Sequence, residues 1–338
     1  MRISGVARVA VAAFAVAAGF VSGAAADDFY KGSNVSLVVA TGPGGGYSQI
    51  GLIMARHMPN HIPGHPTIVV QHMERAGGLQ AANYLYNAAL ADGSVFGLLR
   101  NATAFGQALG TTGIKYDVRK FRWIGSTGPL INVLAVRKDS GIASIADLEK
   151  KQLIVGSSGV KIDTLFLFPT VMAKMFGHKI KVVSGYKGTN DVQGAVERGE
   201  VSGEVQPYQN WDRSHLVENG TVIYLLQYAY ERVKALPNVP TLVELARNDE
   251  ERKILRLVSS PSVTGRNFAA PPKIPAERLA ILRKAFDDTV RDKAFIADMT
   301  KLDLEVEPRN GPDLEKLIAE VMDTPPHLIQ RTRSYLGY

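Results

Sequence analysis

Between Val35 and Met58 the chain changes its hydrophobic rhythm in a way that defines one unit. Leu37, Val38, Val39 and Ala40 form a continuous apolar run, as expected of a strand covered on both faces. After Thr41-Gly42-Pro43-Gly44-Gly45-Gly46-Tyr47-Ser48, apolar residues recur at Ile50, Ile53, Met54 and Met58, which is helical spacing, and Pro59 stops it. The unit is a strand, a glycine-rich turn and a helix. Three successive glycines let another molecule approach the main chain closely. The first N–H groups of the helix have no partner inside it and carry the positive end of its dipole, so the junction suits a carboxylate or phosphate, although a tight turn alone would need the same residues.

The alternation continues. Thr67 to Val70 is a second strand, Ala76-Gly77-Gly78 a second small-residue turn, and Leu79, Ala82, Asn83 and Tyr86 a second helix. Val95 to Leu99 is a third strand, ending at Arg100-Asn101-Ala102. Strands alternating with helices predict an α/β fold with parallel sheets, whose ligands sit outside the carboxyl ends of the strands. From Gly125 to Pro129 breakers accumulate, and a second such set begins at Asn132 to Val136. It continues with a capping-box variant at Ser144 to Asp147, a strand ending in Gly156-Ser157-Ser158-Gly159, and a helix from about Thr164 to Phe176. A strand then leads to Tyr186-Lys187-Gly188-Thr189, with Asn190 as the expected cap of a helix closed by Gly199. Val201 to Val205 and Val222 to Leu226 are the remaining strands of this set. Thr241 to Glu244 is a capping box behind Leu236-Pro237-Asn238-Val239-Pro240; Pro275 should start a helix through Ala285, and one last helix should fill most of Leu314 to Tyr335.

Composition narrows the chemistry. The first 26 residues have a basic start (Arg2, Arg8), an uncharged apolar run from Val9 to Val21 and Ala24-Ala25-Ala26 before Asp27. That is the pattern of a cleaved secretory signal peptide, too short in its apolar part to span a bilayer. Of the 338 residues, 338 less 26 leaves 312, enough for two α/β domains. The net charge of +7 includes the two leader arginines, and the remaining basic residues are dispersed, which argues against nucleic acid and is compatible with small anions. There is no cysteine, hence no disulfide, thiolate nucleophile or cysteine-bound zinc.

Enzymatic motifs fail one by one. Gly42, Gly44 and Gly46 are spaced as in a dinucleotide fingerprint, but position 47 is Tyr47, no acid follows at the ribose position, and no P-loop lysine exists. His57, His61 and His65 are four apart, with Pro59 and Pro63 preventing a continuous helix between them, so no metal is expected. The serine loop at 156–159 lacks the glycine an elbow would need at 160, which is Val160. A hydrolase or lyase using Ser48 or Ser158 would still need a base, and no histidine is near either in sequence. What remains is a cleft of backbone N–H groups and hydroxyls (Tyr47, Ser48, Ser157, Ser158, Tyr186, Thr189) that can orient an anion.

In this order and spacing, Gly44-Gly45-Gly46-Tyr47, Ala76-Gly77-Gly78, Asp92-Gly93, Tyr186-Lys187-Gly188 and Leu236 to Thr241 with Glu244 resemble the substrate-binding proteins of tripartite tricarboxylate transporters, the TctC or Bug family. The resemblance implies a type II periplasmic binding-protein fold with two lobes and no cofactor or metal. It implies capture of a carboxylate-bearing solute in the periplasm and delivery to integral-membrane transport subunits, the protein acting as a monomer; a membrane sensor could read the closed form instead. Carried over by position, the ligand contacts are Gly44, Gly45, Gly46, Tyr47, Ser48, Ala76, Gly77, Gly78, Asn101, Ser157, Ser158, Gly159, Tyr186, Lys187, Gly188 and Thr189. Three positions depart from the family pattern: Ser48 replaces an aspartate, Leu52 an arginine, and Glu74-Arg75 a proline-glycine. Without a carboxylate at 48 an amino-acid ligand is disfavoured, and Arg75 could fork onto a carboxylate. The expected organisation is a leader at 1–26, a first lobe from 27–127 and 228–338, and a second lobe at 128–227, hinged near Gly125 to Pro129 and Gln227 to Tyr230.

Overall fold

A computed structural model describes residues 29–159 and 163–337; the leader at 1–26 and Val160 lie outside them. Its strands are β1 (Asn34–Val39), β2 (Thr67–His72), β3 (Val95–Leu99), β4 (Arg122–Ser126), β5 (Asn132–Arg137), β6 (Leu153–Ser157), β7 (Ile180–Ser184), β8 (Gly203–Pro207), β9 (Val222–Gln227), β10 (Asn267–Ala270) and β11 (Arg309–Asn310). They form two sheets, ordered β11-β4-β10-β3-β1-β2 and β7-β6-β8-β5-β9.

The apolar run of β1 is buried on both faces. Leu37 and Val39 pack with Ile50, Ile53 and Met54 of the helix Gly46–His57, while Val38 packs with Ala81, Ala82 and Leu85 of the helix Leu79–Asn87. Strands β2 and β3 lie on opposite sides of β1 and parallel to it. The winding therefore reverses at β1, and a crevice opens at its carboxyl end. Sheet two repeats the device, with β7 and β8 flanking β6 in parallel and the helices Thr164–Phe176 and Thr189–Glu197 on its two faces.

Neither sheet is purely parallel, contrary to expectation. β10 enters antiparallel between β3 and β4, and β5 is antiparallel to both β8 and β9. Local periodicity carries burial but not pairing partner, so it cannot foresee strands that arrive late in the chain. The last helix is also two, Gly311–Met322 and Pro326–Leu336, because Pro325 and Pro326 end one and start the other. Gly188, not Asn190, occupies the cap of Thr189–Glu197.

Both capping boxes are present. In the second, Glu244 also takes a two-pronged contact from Arg232 at 2.9 and 2.7 Å, and this hydrogen bonding holds its carboxyl down to about 2. The preceding turn is secured by the fully buried Gln227, which donates to the carbonyls of Leu236 and Val239.

One apolar core runs through both sheets. It joins Val38, Leu99 and Trp123 to Leu134, Val155 and Val205 by way of Ile254, Leu255 and Val258 on the helix Asp249–Thr264. The helix Pro326–Leu336 bridges: Arg333 donates to the carbonyl of Leu109 beside the first sheet, while the helix packs against Thr164–Phe176 of the second.

Candidate ligand cleft

The carboxyl ends of the strands of the two sheets face each other across a cavity of about 360 Å³. One wall is Tyr47, Arg100, Asn101 and Ala102; the other includes Asp163, Thr164, Leu165, Gly188, Thr189 and Asn210. A larger groove of about 990 Å³ opens between Tyr86, Phe121, Pro271 and Ile318; the loop after the antiparallel β10 borders it, and none of the glycine-rich turns does.

Helix beginnings converge on this cavity because the helices that follow β1, β6 and β7 start at its walls, with Tyr47, Thr164 and Thr189 in their first turns. Among the described residues no side chain caps Gly46–His57 at Gly45, nor Thr189–Glu197 at Gly188, which leaves their first N–H groups without a side-chain partner there. Thr164–Phe176 is capped by Asp163, whose carboxylate accepts from Leu165 N at 3.4 Å and from the Ser158 hydroxyl at 2.9 Å. The walls are braced from behind. Asn101 N–H donates to the Tyr47 hydroxyl at 3.1 Å, and the Asn101 side chain donates to the Pro261 carbonyl at 3.0 Å. Asn210 donates to the buried Gln206, which donates in turn to Gln193.

The electrostatics are cationic on the first wall. The Arg100 guanidinium stands 5.5 Å from the centre of the Tyr47 ring. Burial pushes the Tyr47 phenol up, against the pull of Arg100 and Arg266. Arg266 is itself only 6% exposed. On the open side the helix Tyr208–Asp212 is clasped by the segment after Lys293–Thr300. The Tyr208 hydroxyl donates to Glu305 at 2.6 Å, Gln209 donates to the same carboxylate at 3.0 Å, and Arg213 donates to the carbonyls of Leu302 and Asp303.

Of the residues expected at the site, Tyr47, Asn101, Gly188 and Thr189 line the cavity together. Gly44, Gly45 and Gly46 lead into Tyr47 on exposed backbone, and side chains at 44 and 45 would meet open space. Ser48 turns inward, its hydroxyl 3.5 Å from His72 Nε2, while His72 Nδ1 donates to the Thr41 carbonyl at 2.8 Å. Ala76, Gly77 and Gly78 all adopt positive φ, and Gly78 is pressed against the Ala40 carbonyl and Arg100. This turn therefore shapes the wall from behind, and Arg75 beside it is exposed. Ser157 and Ser158 hold their own loop, the former accepting from Gly159 N. Tyr186 packs by Gly156, and the exposed Lys187 gives its backbone N–H to Asp191.

Sequence reasoning missed Arg100, Asp163 and Asn210, which line the cavity. Arg100 and Asp163 had a signal, since each sits at a strand-to-helix junction. His57 and His61 bond to Asp298 and Asp292, and among the described residues no cluster could hold a metal ion. Nor is any helix among them long and apolar enough to cross a membrane.

Comparison with known proteins gives three findings. No curated protein matches the chain. Among solved structures it is similar to a TctC solute-binding protein from Polaromonas without ligand, at TM-score 0.70 and 18% identity over 89% of this chain and 99% of that one. It is also similar to two Rhodopseudomonas palustris proteins, each at TM-score 0.63 and 19% identity over 90% of this chain. These are MatC with bound malate, 99% covered, and a protein solved with adipate, 97% covered. Identities this low show the fold alone: two lobes of mixed sheet and helix in the type II periplasmic binding-protein architecture. The sequence profile of the tripartite tricarboxylate transporter family receptors, TctC, matches residues 55–333, and the chain belongs to that family.

Proposed function

We propose that this protein is an extracytoplasmic solute-binding protein that captures a small carboxylate-bearing solute between two lobes and presents it to integral-membrane transport subunits. The lobes are 27–127 with 228–338, and 128–227. The residues contacting ligand are drawn from Gly44 to Tyr47, Asn101, Ser157 to Gly159 and Tyr186 to Thr189, with Arg100 and Asp163 added, while Ser48 and the turn Ala76 to Gly78 support the wall behind them. The observation that carries the reading is the convergence of uncapped helix N-termini from both sheets, with Arg100, on one cavity. Relatives of the same fold hold malate and adipate, which supports a carboxylate here.

Oriented N–H groups and helix dipoles contribute on the order of 1 kcal/mol each, so several from each lobe account for micromolar affinity, about −8 kcal/mol. A carboxylate bridging the lobes has contacts in the closed form that the open form lacks, and this difference shifts the population. The protein works in the periplasm as a monomer, without cofactor, metal or nucleic acid.

A hydrolase reading has one point in its favour, the Ser48–His72 pair. Against it, Ser48 is 2% exposed, is not part of the cavity wall, and its histidine is oriented by a backbone carbonyl rather than a carboxylate. The test is a thermal-shift panel of mono-, di- and tricarboxylates, amino acids and sugars on the mature chain. A ligand at a hundredfold excess over its dissociation constant adds about 2.7 kcal/mol of stability. Stabilisation confined to carboxylates is the expected result; a flat panel or a response to sugars alone overturns the reading.

A further inference from the structure

The two walls of the cavity carry opposite charge. On the first, the Arg100 guanidinium lies over the Tyr47 ring, and both residues line the space. On the second, Asp163 lines it as the cap of the helix Thr164–Phe176, its carboxylate taking the Leu165 N–H at 3.4 Å and the Ser158 hydroxyl at 2.9 Å. The three helices that begin here are therefore not equivalent. Gly46–His57 and Thr189–Glu197 start behind a glycine, where a solute carboxylate can approach the positive end of the dipole. Thr164–Phe176 already holds a protein carboxylate at that position, so a second anion there meets a like charge. Asn132 borders the same cavity and adds another acceptor. It is 1% exposed, and its amide nitrogen donates to the Leu130 carbonyl at 3.0 Å and to the Ser262 hydroxyl at 2.8 Å. A carbonyl only accepts, so Leu130 fixes which end of the amide is nitrogen, and Oδ1 is left without a hydrogen-bond partner among the described residues.

We propose that Asp163 sets the specificity of the cleft: the solute is a monocarboxylate whose acid group is held on the Arg100 side and whose other end brings a hydrogen-bond donor, a hydroxyl or an ammonium, to Asp163. This deepens the solute-binding reading and rests on it. A carboxylate has about four lone-pair sites, enough to cap the helix, hold Ser158 and accept from a solute. The same charge repels a second carboxylate on the solute, which a capping serine would not do. A wall of acceptors rejects a solute that brings it no donor, because the protein's own groups are then left unpaired. The acceptor absent at Ser48 is in this way supplied from the opposite wall. Malate and adipate, held by relatives of the same fold, carry two carboxylates; the charge at position 163 makes this chain prefer one.

The test compares the mature chain with Asp163→Asn and Asp163→Ser by calorimetric titration of solutes matched in length, beside ligand-free melting curves. Succinate is set against γ-hydroxybutyrate and γ-aminobutyrate, and adipate against ε-hydroxycaproate and ε-aminocaproate. Wild-type protein should bind at least one hydroxy or amino monocarboxylate about fivefold or more tighter than the dicarboxylate of the same length, and the tighter of the two names the donor. Asparagine and serine both cap helices, so the ligand-free midpoints should stay within about 3 °C of wild type. Both variants should move the preference toward the dicarboxylate by about fivefold or more, a readout that the loss of a cap alone would leave unmoved. A wild-type preference for the dicarboxylate, or a smaller shift in both variants, overturns the role of Asp163 and leaves the solute-binding reading standing. Binding of none of these solutes by wild type also overturns it; a flat thermal-shift panel overturns the solute-binding reading with it.

Discussion

At position 45 the backbone is extended, with φ −90° and ψ 173°, and a Cβ would meet nothing within 4 Å. Valine is therefore tolerated by the fold, and its effect falls on whatever occupies the space in front of the helix. Gly45→Val should change unfolding stability by less than about 0.5 kcal/mol and weaken carboxylate binding by more than about tenfold. Unchanged affinity in a titration would remove the glycine loop from the site. Gly78 is the contrasting case, since its φ of +88° and the Ala40 carbonyl leave no place for a side chain. The two glycines look alike in the sequence. One leaves room for a ligand and the other lets two parts of the wall touch, a difference that only the neighbours define.

Among the elements, β8 carries the least comfortable group. Glu204 pairs with Ala135 on the face covered by Val192, Ala195 and Val196, is fully buried, and has no partner for either carboxylate oxygen. Burial pushes its carboxyl from 4.5 to about 9. The folded protein therefore keeps a proton that the unfolded chain releases, so stability is full below about pH 4.5 and is lost progressively as pH rises towards 9. Glu204→Gln should flatten that decline by more than about 1 kcal/mol between about pH 5 and pH 9, read from urea unfolding curves. Equal slopes for variant and wild type would show that Glu204 is ionised or solvated. Much at this scale was legible in sequence: β3 has the bounds its apolar run suggests, Pro275 does start a helix, and both capping boxes form. The antiparallel entry of β10 was not, because a strand of Asn267–Ala270 has no local feature naming β3 and β4 as its neighbours. At the cleft, Tyr47, Asn101, Gly188 and Thr189 could be found because strand-end loops announce themselves.

For the whole molecule, the proposed closure turns on the crossings near 125–129 and 227–230. The first is stitched to the segment before β10 by Thr127 N to the Arg266 carbonyl, Arg266 N to the Gly128 carbonyl and Leu130 N to the Ser262 carbonyl. A Cβ at Gly265 would overlap the Gly128 carbonyl, so that segment is already in close contact with the first crossing. Small-angle scattering should give a radius of gyration near about 20 Å that falls by about 1 Å with a saturating carboxylate. Superimposable profiles would argue against hinge closure.

The bridging helix Pro326–Leu336 has a consequence in time. Its Leu328 and Leu336 belong to the same core as Leu167, Phe168 and Met172, where Phe168 stacks on Tyr228 with ring centres 3.9 Å apart. During synthesis, residues 128–227 emerge long before residues 326–336, so the middle of the polypeptide must wait with an apolar helix face uncovered. Completion of its core is thereby tied to a segment made well after it, and that part of the chain stays short of its native state until the segment is free.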